Sequence, residues 1–221
     1  MMTAVQREFW SKLARNYDRV VDRQLGRQTR SLIRDRIGAE DELGDAAEFG
    51  CGTGFFTEAL GAKAKRLIAT DLSPVMIELA RGLIKTGTVQ FREEDCQQSS
   101  FQNEAFDTVF LGLVIQLTEP PRTVAEMHRI LKPGGLMIIV NLDPGMLQGF
   151  NRIRARFRTI YHGIAGYRVK PPEGFMKNVM TERELSTLLS QSGFKVLSAE
   201  PLYDRSCSSN IPVEYIHAVK S

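Results

Sequence analysis

The feature that most constrains the fold is a regular alternation of short apolar runs with helix-like stretches across the middle of the chain. The apolar runs are four to seven residues long, which suits strands that are buried on both faces. Between them, apolar residues recur three and four apart, as at Val124, Met127 and Ile130. Strands that alternate with helices form crossover units, and these build a parallel sheet. The pattern therefore predicts a doubly wound α/β domain.

Helix signals and the end of the chain complete this prediction. Ser73 provides a helix N-cap before Pro74, and Thr181 with Glu184 forms a capping box. The last two apolar runs have no helical segment between them, so they can pair antiparallel. We therefore expect an antiparallel final strand. The predicted strands cover residues 46–50, 67–71, 88–91, 107–111, 136–142, 194–199 and 213–219.

Length and composition indicate one globular domain, residues 1–221. With 43% hydrophobic and 25% charged residues, the chain is neither disordered nor fibrous. Its net charge of +3 is too small to indicate a nucleic-acid partner, and no DNA partner is expected. Three cysteines without CxxC spacing argue against a disulfide framework or a zinc site, so we expect no metal and a cytoplasmic location.

A glycine-rich turn lies directly between the first predicted strand and a helix expected to begin near Phe55. It contains Gly50, Gly52 and Gly54, which allow a sharp turn and let a ligand approach backbone amides. In open α/β sheets, ligands bind at this edge, outside the carboxyl ends of the strands. The dinucleotide spacing G-x-G-x-x-G would need glycine at Phe55, so that fingerprint is absent.

Three acids accompany the turn. Glu48 comes two residues before the first glycine. Asp71 closes the second predicted strand, where a carboxylate can accept hydrogen bonds from both hydroxyls of a ribose. Asp95 follows the third strand, where it can accept a bond from an exocyclic amine such as N6 of adenine. Together they predict a site for an adenosine-containing ligand.

These motifs resemble, in order and spacing, those of the class I S-adenosylmethionine-dependent methyltransferases. The resemblance covers about residues 10–140 and rests on five motifs: 48–54, Asp71, Asp95, 106–109 and 131–135. It implies a seven-stranded, mostly parallel, Rossmann-like sheet with an antiparallel last strand. It also implies methyltransferase activity with S-adenosyl-L-methionine as the cofactor.

The resemblance further implies roles for individual residues. The glycine turn would hold the amino-acid part of the cofactor, Asp71 the ribose and Asp95 the adenine amine. Met76 would pack on the adenine ring, and Cys96 would lie beside it through its backbone amide. The predicted cofactor-binding set is Tyr17, Glu48, Gly50, Cys51, Gly52, Gly54, Asp71, Leu72, Met76, Asp95, Cys96 and Leu111.

The amino-terminal segment, residues 1–40, is predicted to be a helical lid. Its stretch from Phe9 to Asp18 is similar to the opening motif of the family's small-molecule branch, which includes quinone and sterol C-methyltransferases. In that branch the tyrosine, here Tyr17, helps to close the lid over the cofactor; the alternative is a tyrosine that only packs a helix onto the sheet. Five arginines at helical spacing predict one solvated stripe: Arg19, Arg23, Arg27, Arg30 and Arg34.

The chemistry of methyl transfer does not require a diagnostic triad. Displacement at a sulfonium has an activated leaving group, so alignment and desolvation dominate. A general base is needed only where the nucleophile must lose a proton. The catalytic residues are therefore unassigned, with Tyr17 and His162 as weak candidates.

Residues 144–180 are predicted to be an insertion over the active-site face. Between 144 and 172 the segment carries six arginines and lysines and no acid. Four interpretations stay open: a solvated helix face, or a surface for an anionic substrate, a lipid membrane or RNA. The modest net charge counts against RNA.

The leading prediction is methyl transfer to a small-molecule acceptor, with anionic, amphipathic and membrane-associated acceptors all open. The alternatives are RNA or protein methylation and a non-catalytic protein that binds the cofactor. The tetrapeptide of exocyclic-nitrogen methylation is absent after the fourth strand, which disfavours RNA. The missing dinucleotide spacing disfavours a nicotinamide-dependent dehydrogenase. The oligomeric state is not predicted.

Overall fold

The computed structural model describes residues 4–143, 177–202 and 212–221; for Arg23 and Gln24 it describes the backbone alone. The strands are β1 (Gly44–Phe49), β2 (Ala64–Asp71), β3 (Val89–Glu93), β4 (Phe106–Gly112), β5 (Leu131–Leu142), β6 (Phe194–Leu202) and β7 (Val213–Lys220). The α-helices of the described residues are α1 (Ala4–Leu13), α2 (Tyr17–Leu25), α3 (Arg27–Gly38), α4 (Thr57–Lys63), α5 (Pro74–Leu83), α6 (Pro120–Ile130) and α7 (Glu182–Gln191). Short 3₁₀ turns lie at Ala14–Asn16 and Ile115–Leu117.

The strands form one seven-stranded sheet in the order β3-β2-β1-β4-β5-β7-β6. Strand β1 pairs parallel with β2 on one side and with β4 on the other. Strand β7 is antiparallel to both of its neighbours, β5 and β6. The doubly wound α/β prediction with an antiparallel last strand is confirmed. The strand order runs outward from β1 through β2 to β3, and then continues from β4 on the other side of β1. A crevice therefore opens at the carboxyl ends of β1 and β4.

Two apolar layers hold helices on both faces of the sheet. On one face, Met127 of α6 and Leu185 of α7 pack with Val109 of β4 in a fully buried cluster. On the other face, Ile33 of α3 packs with Tyr215 of β7 and the rest of a second cluster. Burial of each side chain of this size contributes about 1.5–3 kcal/mol, which anchors the sheet that carries the crevice.

Local capping agrees with the sequence. The Ser73 hydroxyl accepts the Met76 amide at 3.3 Å, and Pro74 occupies the first turn of α5. The capping box of Thr181 and Glu184 starts α7, with both reciprocal bonds present. Each cap satisfies an amide that the first helical turn leaves without an intrahelical partner.

Helix α6 and strand β5 differ from their predicted limits. The helix begins at Pro120, ahead of the predicted apolar face at Val124, Met127 and Ile130, because proline at the first turn has no N–H to lose. The strand begins at Leu131, five residues before the predicted start at residue 136, and runs through the Pro133–Gly135 segment. A register shift opposite Phe106 and Thr108 absorbs that segment, so the strand continues past it.

The predicted arginine stripe is wrong. Gly26, with φ of +85°, separates α2 from α3, so the five arginines do not share one helix. Arg30 is not solvated, since only 3% of it is exposed. A left-handed φ needs glycine at low cost, and this one turns the chain so that α3 packs beneath the sheet.

Some predicted features lie outside the described residues: His162, Cys207 and nearly all of the 144–180 insertion. Within the described ranges, no helix has the length and apolarity needed to cross a membrane.

Candidate functional site

A cleft opens at the carboxyl ends of β1, β2, β3 and β4, where the doubly wound topology places it. It holds about 560 Å³ of empty space, a volume that includes the open solvent at its mouth. Two kinds of surface face it. We call the turn at residues 50–54 together with Asp71 the polar wall, and Leu113, Val114 and Leu117 the apolar wall.

The polar wall begins with the glycine turn after β1. Gly50 and Gly52 have φ of +70° and +55°, in the left-handed region that favours glycine. A Cβ on Gly50 would lie 2.3 Å from Cγ2 of Val114, and one on Gly52 would lie 3.1 Å from Cε1 of Tyr17. Side chains at these positions would therefore collide with the walls of the cleft. Glycine keeps the turn's backbone open to a ligand.

Asp71 joins the turn to the start of α5. Its Oδ2 accepts the Gly52 amide at 3.0 Å, and its Oδ1 accepts the Ser73 amide at 2.9 Å. Burial raises the pKa of Asp71, and these backbone bonds partly offset that rise. The carboxylate is thus fixed in orientation at the end of β2, with its remaining lone pairs on the cleft side of the turn.

The loop after β3 supplies a third part of the cleft. The Glu94 amide donates to the Asp71 carbonyl at 3.3 Å, while the Glu94 carboxylate accepts the amide and the hydroxyl of Ser100. Asp95 accepts the Gln97 amide at 2.9 Å through its Oδ1. Cys96 is buried, and burial raises the pKa of its thiol to about 12.

Two aromatic rings of the amino-terminal helices cover the glycine turn. Trp10 of α1 and Tyr17 of α2 both face the cleft, with ring centroids 6.1 Å apart in an edge-to-face arrangement. Helix α1 is also joined to the cap of α5, since the hydroxyls of Ser11 and Ser73 lie 2.9 Å apart. The Tyr17 ring therefore lies against the polar wall at Gly52, and a lid role for the amino-terminal segment stays a prediction.

The apolar wall follows β4 through a strained turn. Leu113 has φ of +62°, an uncommon conformation for a branched residue. Its amide donates to the Val140 carbonyl at 2.9 Å, and its carbonyl accepts Nε2 of Gln116 at 2.7 Å. These bonds hold Leu113 against the cleft despite the strain. Strained backbone of this kind concentrates at functional sites.

Glu48 lies beneath the polar wall and does not face the cleft. Only 1% of it is exposed, and its Oε2 accepts the hydroxyl of Thr57 at 2.7 Å. Burial raises the pKa of Glu48 to about 8, with a smaller contribution from the charge of Asp71. At neutral pH this carboxyl is mostly protonated.

Comparison with known proteins agrees with this geometry. Residues 47–139 match a family model described as a methyltransferase domain. A malonyl-[acyl-carrier protein] O-methyltransferase of Serratia marcescens is 31% identical over 142 residues, 63% of this chain and 53% of the relative. The enzyme of the same name from a Paenibacillus species is 24% identical over 99% of this chain and 80% of the relative. Residues 47–139 of this chain therefore match the methyltransferase family that the sequence motifs indicate.

Solved structures show the same fold for this chain. A Thermotoga maritima protein titled as an S-adenosylmethionine-dependent methyltransferase matches with a TM-score of 0.68 at 21% identity, covering 97% of this chain and 99% of that chain. A Haloferax volcanii structure of the Trm112 activator with a methyltransferase matches with a TM-score of 0.72 at 17% identity, covering 96% and 97%. The chain spans about half the length of the Serratia relative.

The cleft is lined by seven of the twelve residues that were predicted to bind the cofactor. The predicted residues that line it are Tyr17, Gly50, Gly52, Asp71, Leu72, Met76 and Cys96. Those that do not line it are Glu48, Cys51, Gly54, Asp95 and Leu111. Three of these are buried, with 1% of Glu48, 6% of Cys51 and none of Leu111 exposed.

Sequence reasoning missed six lining residues of the methyltransferase: Trp10, Glu94, Gly112, Leu113, Val114 and Leu117. The apolar ones carry no chemical motif, and their place in the cleft depends on the turn that follows β4. Trp10 lies within the opening motif, yet only the docking of α1 brings it to the cleft. Glu94 stands next to the predicted Asp95, but the strand's end turns it toward the site.

The residues present fit the family's cofactor. The methyltransferase offers a glycine turn that a Cβ would fill, an oriented carboxylate at the end of β2, and an apolar side chain, Met76, one turn into α5. Backbone donors, a carboxylate acceptor and an apolar surface suit a ligand that joins an amino acid to adenosine, as S-adenosylmethionine does.

Proposed function

We propose that the protein transfers a methyl group from S-adenosylmethionine to a small-molecule acceptor, and that the accepting atom is a carboxylate oxygen. The observation that carries the second part is the state of the titratable groups in the cleft. Among the described residues that line it, none is placed as a ready general base. An acceptor that is already deprotonated needs none.

Cofactor binding, in this proposal, uses the polar wall. The amides of the glycine turn hold the amino-acid part, the Asp71 carboxylate accepts the ribose hydroxyls, and Met76 packs on adenine. Tyr17 closes over the turn. The proposed adenine acceptor, Asp95, is supported less directly. Its Oδ1 already accepts the Gln97 amide, and Asp95 is not among the residues that line the cleft.

The titratable groups of the cleft are Tyr17, Asp71, Glu94 and Cys96. Both oxygens of Asp71 accept backbone amides, and Glu94 is bonded to Ser100. Burial raises the pKa of the Cys96 thiol to about 12, which keeps it protonated at neutral pH. Acceptors that must lose a proton are therefore disfavoured.

The names of the relatives support an oxygen acceptor of this kind. Several are O-methyltransferases of a malonyl group carried on an acyl-carrier protein. A malonyl thioester ends in a free carboxylate, which is ionised at neutral pH because its pKa lies near 4. We extend this chemistry to the present chain as part of the proposal, including an acceptor borne on a thioester.

The reaction balances without proton transfer. The cofactor supplies an activated methyl group on a sulfonium. A lone pair of the carboxylate oxygen forms the new O–C bond, and the old C–S bond breaks with its electron pair returning to sulfur. The chain aligns the two reactants and excludes water, and Leu113, Val114 and Leu117 desolvate the carboxylate so that it attacks readily.

The test is a methyl-transfer assay with labelled S-adenosylmethionine and a panel of acceptors of matched size. The panel holds a malonyl thioester, a monocarboxylic thioester without a free acid, a phenol and a primary amine. We expect a mass gain of one methyl group on the malonyl thioester alone, in a product that mild base hydrolyses as an ester does.

Two results would contradict the proposal at different levels. Methylation of the phenol or amine, with the malonyl thioester untouched, would reject the carboxylate and keep the methyltransferase. Absence of binding to both S-adenosylmethionine and S-adenosylhomocysteine, in a folded sample, would reject the activity itself.

A further inference from the structure

A buried arginine stands where the amino-terminal helices meet the glycine turn. Arg30 of α3 is 3% exposed, and its guanidinium lies 3.7 Å over the ring of Phe55, just after the turn. Its Nη2 donates to Oδ1 of Asp18 at 2.7 Å, and its Nη1 donates to Oδ1 of Asp22 at 2.6 Å. A buried charge is costly unless it is paired and hydrogen-bonded, as this one is.

The same Asp18 oxygen is bonded to the glycine turn. The hydroxyl of Thr53, which lies between Gly52 and Gly54, donates to Oδ1 of Asp18 at 3.0 Å. Thr53 is itself buried, with 6% exposed. Asp18 therefore links the arginine of α3 to the side chain of Thr53 in the turn, and we call these three residues, Asp18, Arg30 and Thr53, the Arg30 clamp.

Two residues of the clamp, Asp18 and Thr53, adjoin the contact between Tyr17 and the glycine turn. Asp18 follows Tyr17 in α2, and Thr53 follows Gly52 in the turn. The Tyr17 ring lies over Gly52, with Cε1 3.1 Å from the place that a Cβ there would take. Holding Asp18 to Thr53 thus fixes the distance between the tyrosine and the turn.

We propose that Asp18, Arg30 and Thr53 are positioning residues that hold Tyr17 against the glycine turn and so set the affinity for the amino-acid part of the cofactor. This inference rests on the proposed function, in which that turn binds the amino-acid part. The clamp acts through Tyr17 and the turn. The adenosine part, at Asp71 and Met76, lies on other elements and does not depend on it.

The experiment compares two ligands that differ only in the part that the clamp affects. S-adenosylhomocysteine carries the amino-acid part, and 5′-methylthioadenosine lacks it. A change in Trp10 fluorescence reports the binding of either ligand, because Trp10 is the only tryptophan of the chain and faces the cleft. The test variants are Thr53→Val, which removes one hydroxyl at nearly constant shape, and Asp18→Asn.

The matched control is Asp22→Asn. Asp22 pairs with the same arginine through Nη1, and with Arg27 at 3.1 Å, but it has no bond to the glycine turn among the described contacts. Thr53→Ser keeps the hydroxyl and serves as the rescue. Thermal unfolding of every variant shows whether it is folded, and Thr53→Val carries the test if Asp18→Asn does not fold.

We expect Thr53→Val and Asp18→Asn to weaken S-adenosylhomocysteine about tenfold, which corresponds to ~1.4 kcal/mol. Binding of 5′-methylthioadenosine should change less than about twofold, and Asp22→Asn should leave both ligands within that limit. Thr53→Ser should restore the affinity.

Two results would overturn the clamp while the proposed function stands. These are wild-type affinity for S-adenosylhomocysteine in Thr53→Val, and an equal loss for both ligands, which would indicate a general loss of structure. If the wild-type protein binds neither ligand, the proposed function fails and the clamp's role fails with it.

Discussion

The two walls of the cleft differ in what holds them in place. The polar wall is built from backbone: two left-handed glycines and a carboxylate whose oxygens accept main-chain amides. The apolar wall is built from side chains on a strained turn, with Leu113 held by Val140 and Gln116. Left-handed backbone requires glycine, whereas an apolar contact can be made by many kinds of side chain. The polar wall can therefore be recognised in the sequence as a motif, while the side chains of the apolar wall can vary with the acceptor.

The largest expected effect is the loss of the carboxylate in the polar wall. Asp71→Ala removes charge-assisted bonds worth roughly 1.5–3 kcal/mol each, so we expect tenfold to hundredfold weaker binding of S-adenosylhomocysteine. Calorimetric titration of the folded variant measures it. If the dissociation constant of S-adenosylhomocysteine stays at the wild-type value, the polar wall does not bind the cofactor through Asp71, and the contrast between the two walls is wrong.

A smaller effect, on the acceptor and not on the cofactor, is expected from a change in the apolar wall. Leu117→Ala removes apolar surface that faces the cleft, and we expect the Michaelis constant of the acceptor to rise about threefold to tenfold. The dissociation constant of S-adenosylhomocysteine should stay within about twofold of the wild type, since Leu117 lies across from the turn. Steady-state kinetics on the acceptor found in the methyl-transfer panel gives both quantities.

Equal losses for cofactor and acceptor in Leu117→Ala would show that the two walls act as one surface. Asp71→Ala is the counterpart. It should raise the dissociation constant of the cofactor and, at saturating cofactor, leave the Michaelis constant of the acceptor unchanged.

The smallest effect on ligand binding is expected beneath the polar wall, at Glu48. Its pKa of about 8 in the folded protein exceeds the usual carboxyl value, so the folded state binds more protons than the unfolded state between those limits. The free energy of unfolding should then fall as the pH rises from about 5 to about 8. Glu48→Gln should make that fall shallower and leave cofactor affinity near pH 7 within about twofold.

Urea unfolding at several pH values between 5 and 8 measures this slope. Part of the slope should remain in Glu48→Gln, because burial and the neighbouring Asp143 also raise the pKa of Glu214 to about 8. An unchanged slope would mean that Glu48 is ionised in the folded protein.

Much of the fold could be predicted from the sequence because its signals are local. The seven apolar runs, the Ser73 cap and the capping box at Thr181 each depend on a few neighbouring residues, and all are present in the structure. Strand β5 differs from its predicted start, because the register shift beside Phe106 and Thr108 lets the strand continue through the Pro133–Gly135 segment.

The amino-terminal segment shows where local reasoning ends. Helical spacing alone placed five arginines on one solvated stripe. Gly26 breaks that helix, and the turn carries Arg30 into a buried site where two aspartates and Phe55 satisfy it. Its partners are 8 to 25 positions away in sequence, so periodicity carries no sign of them.

By itself, the sequence determined the order of strands and helices, the glycine turn and the acid at the end of β2, because these depend on backbone conformation and on residues close together in the chain. The tertiary structure alone decided that Trp10, Leu113, Val114 and Leu117 share one cleft and that Glu48 lies behind it. It also decided that Asp18 bonds to Thr53. Those relations join distant segments, and only the packing of helices onto the sheet brings them within contact distance.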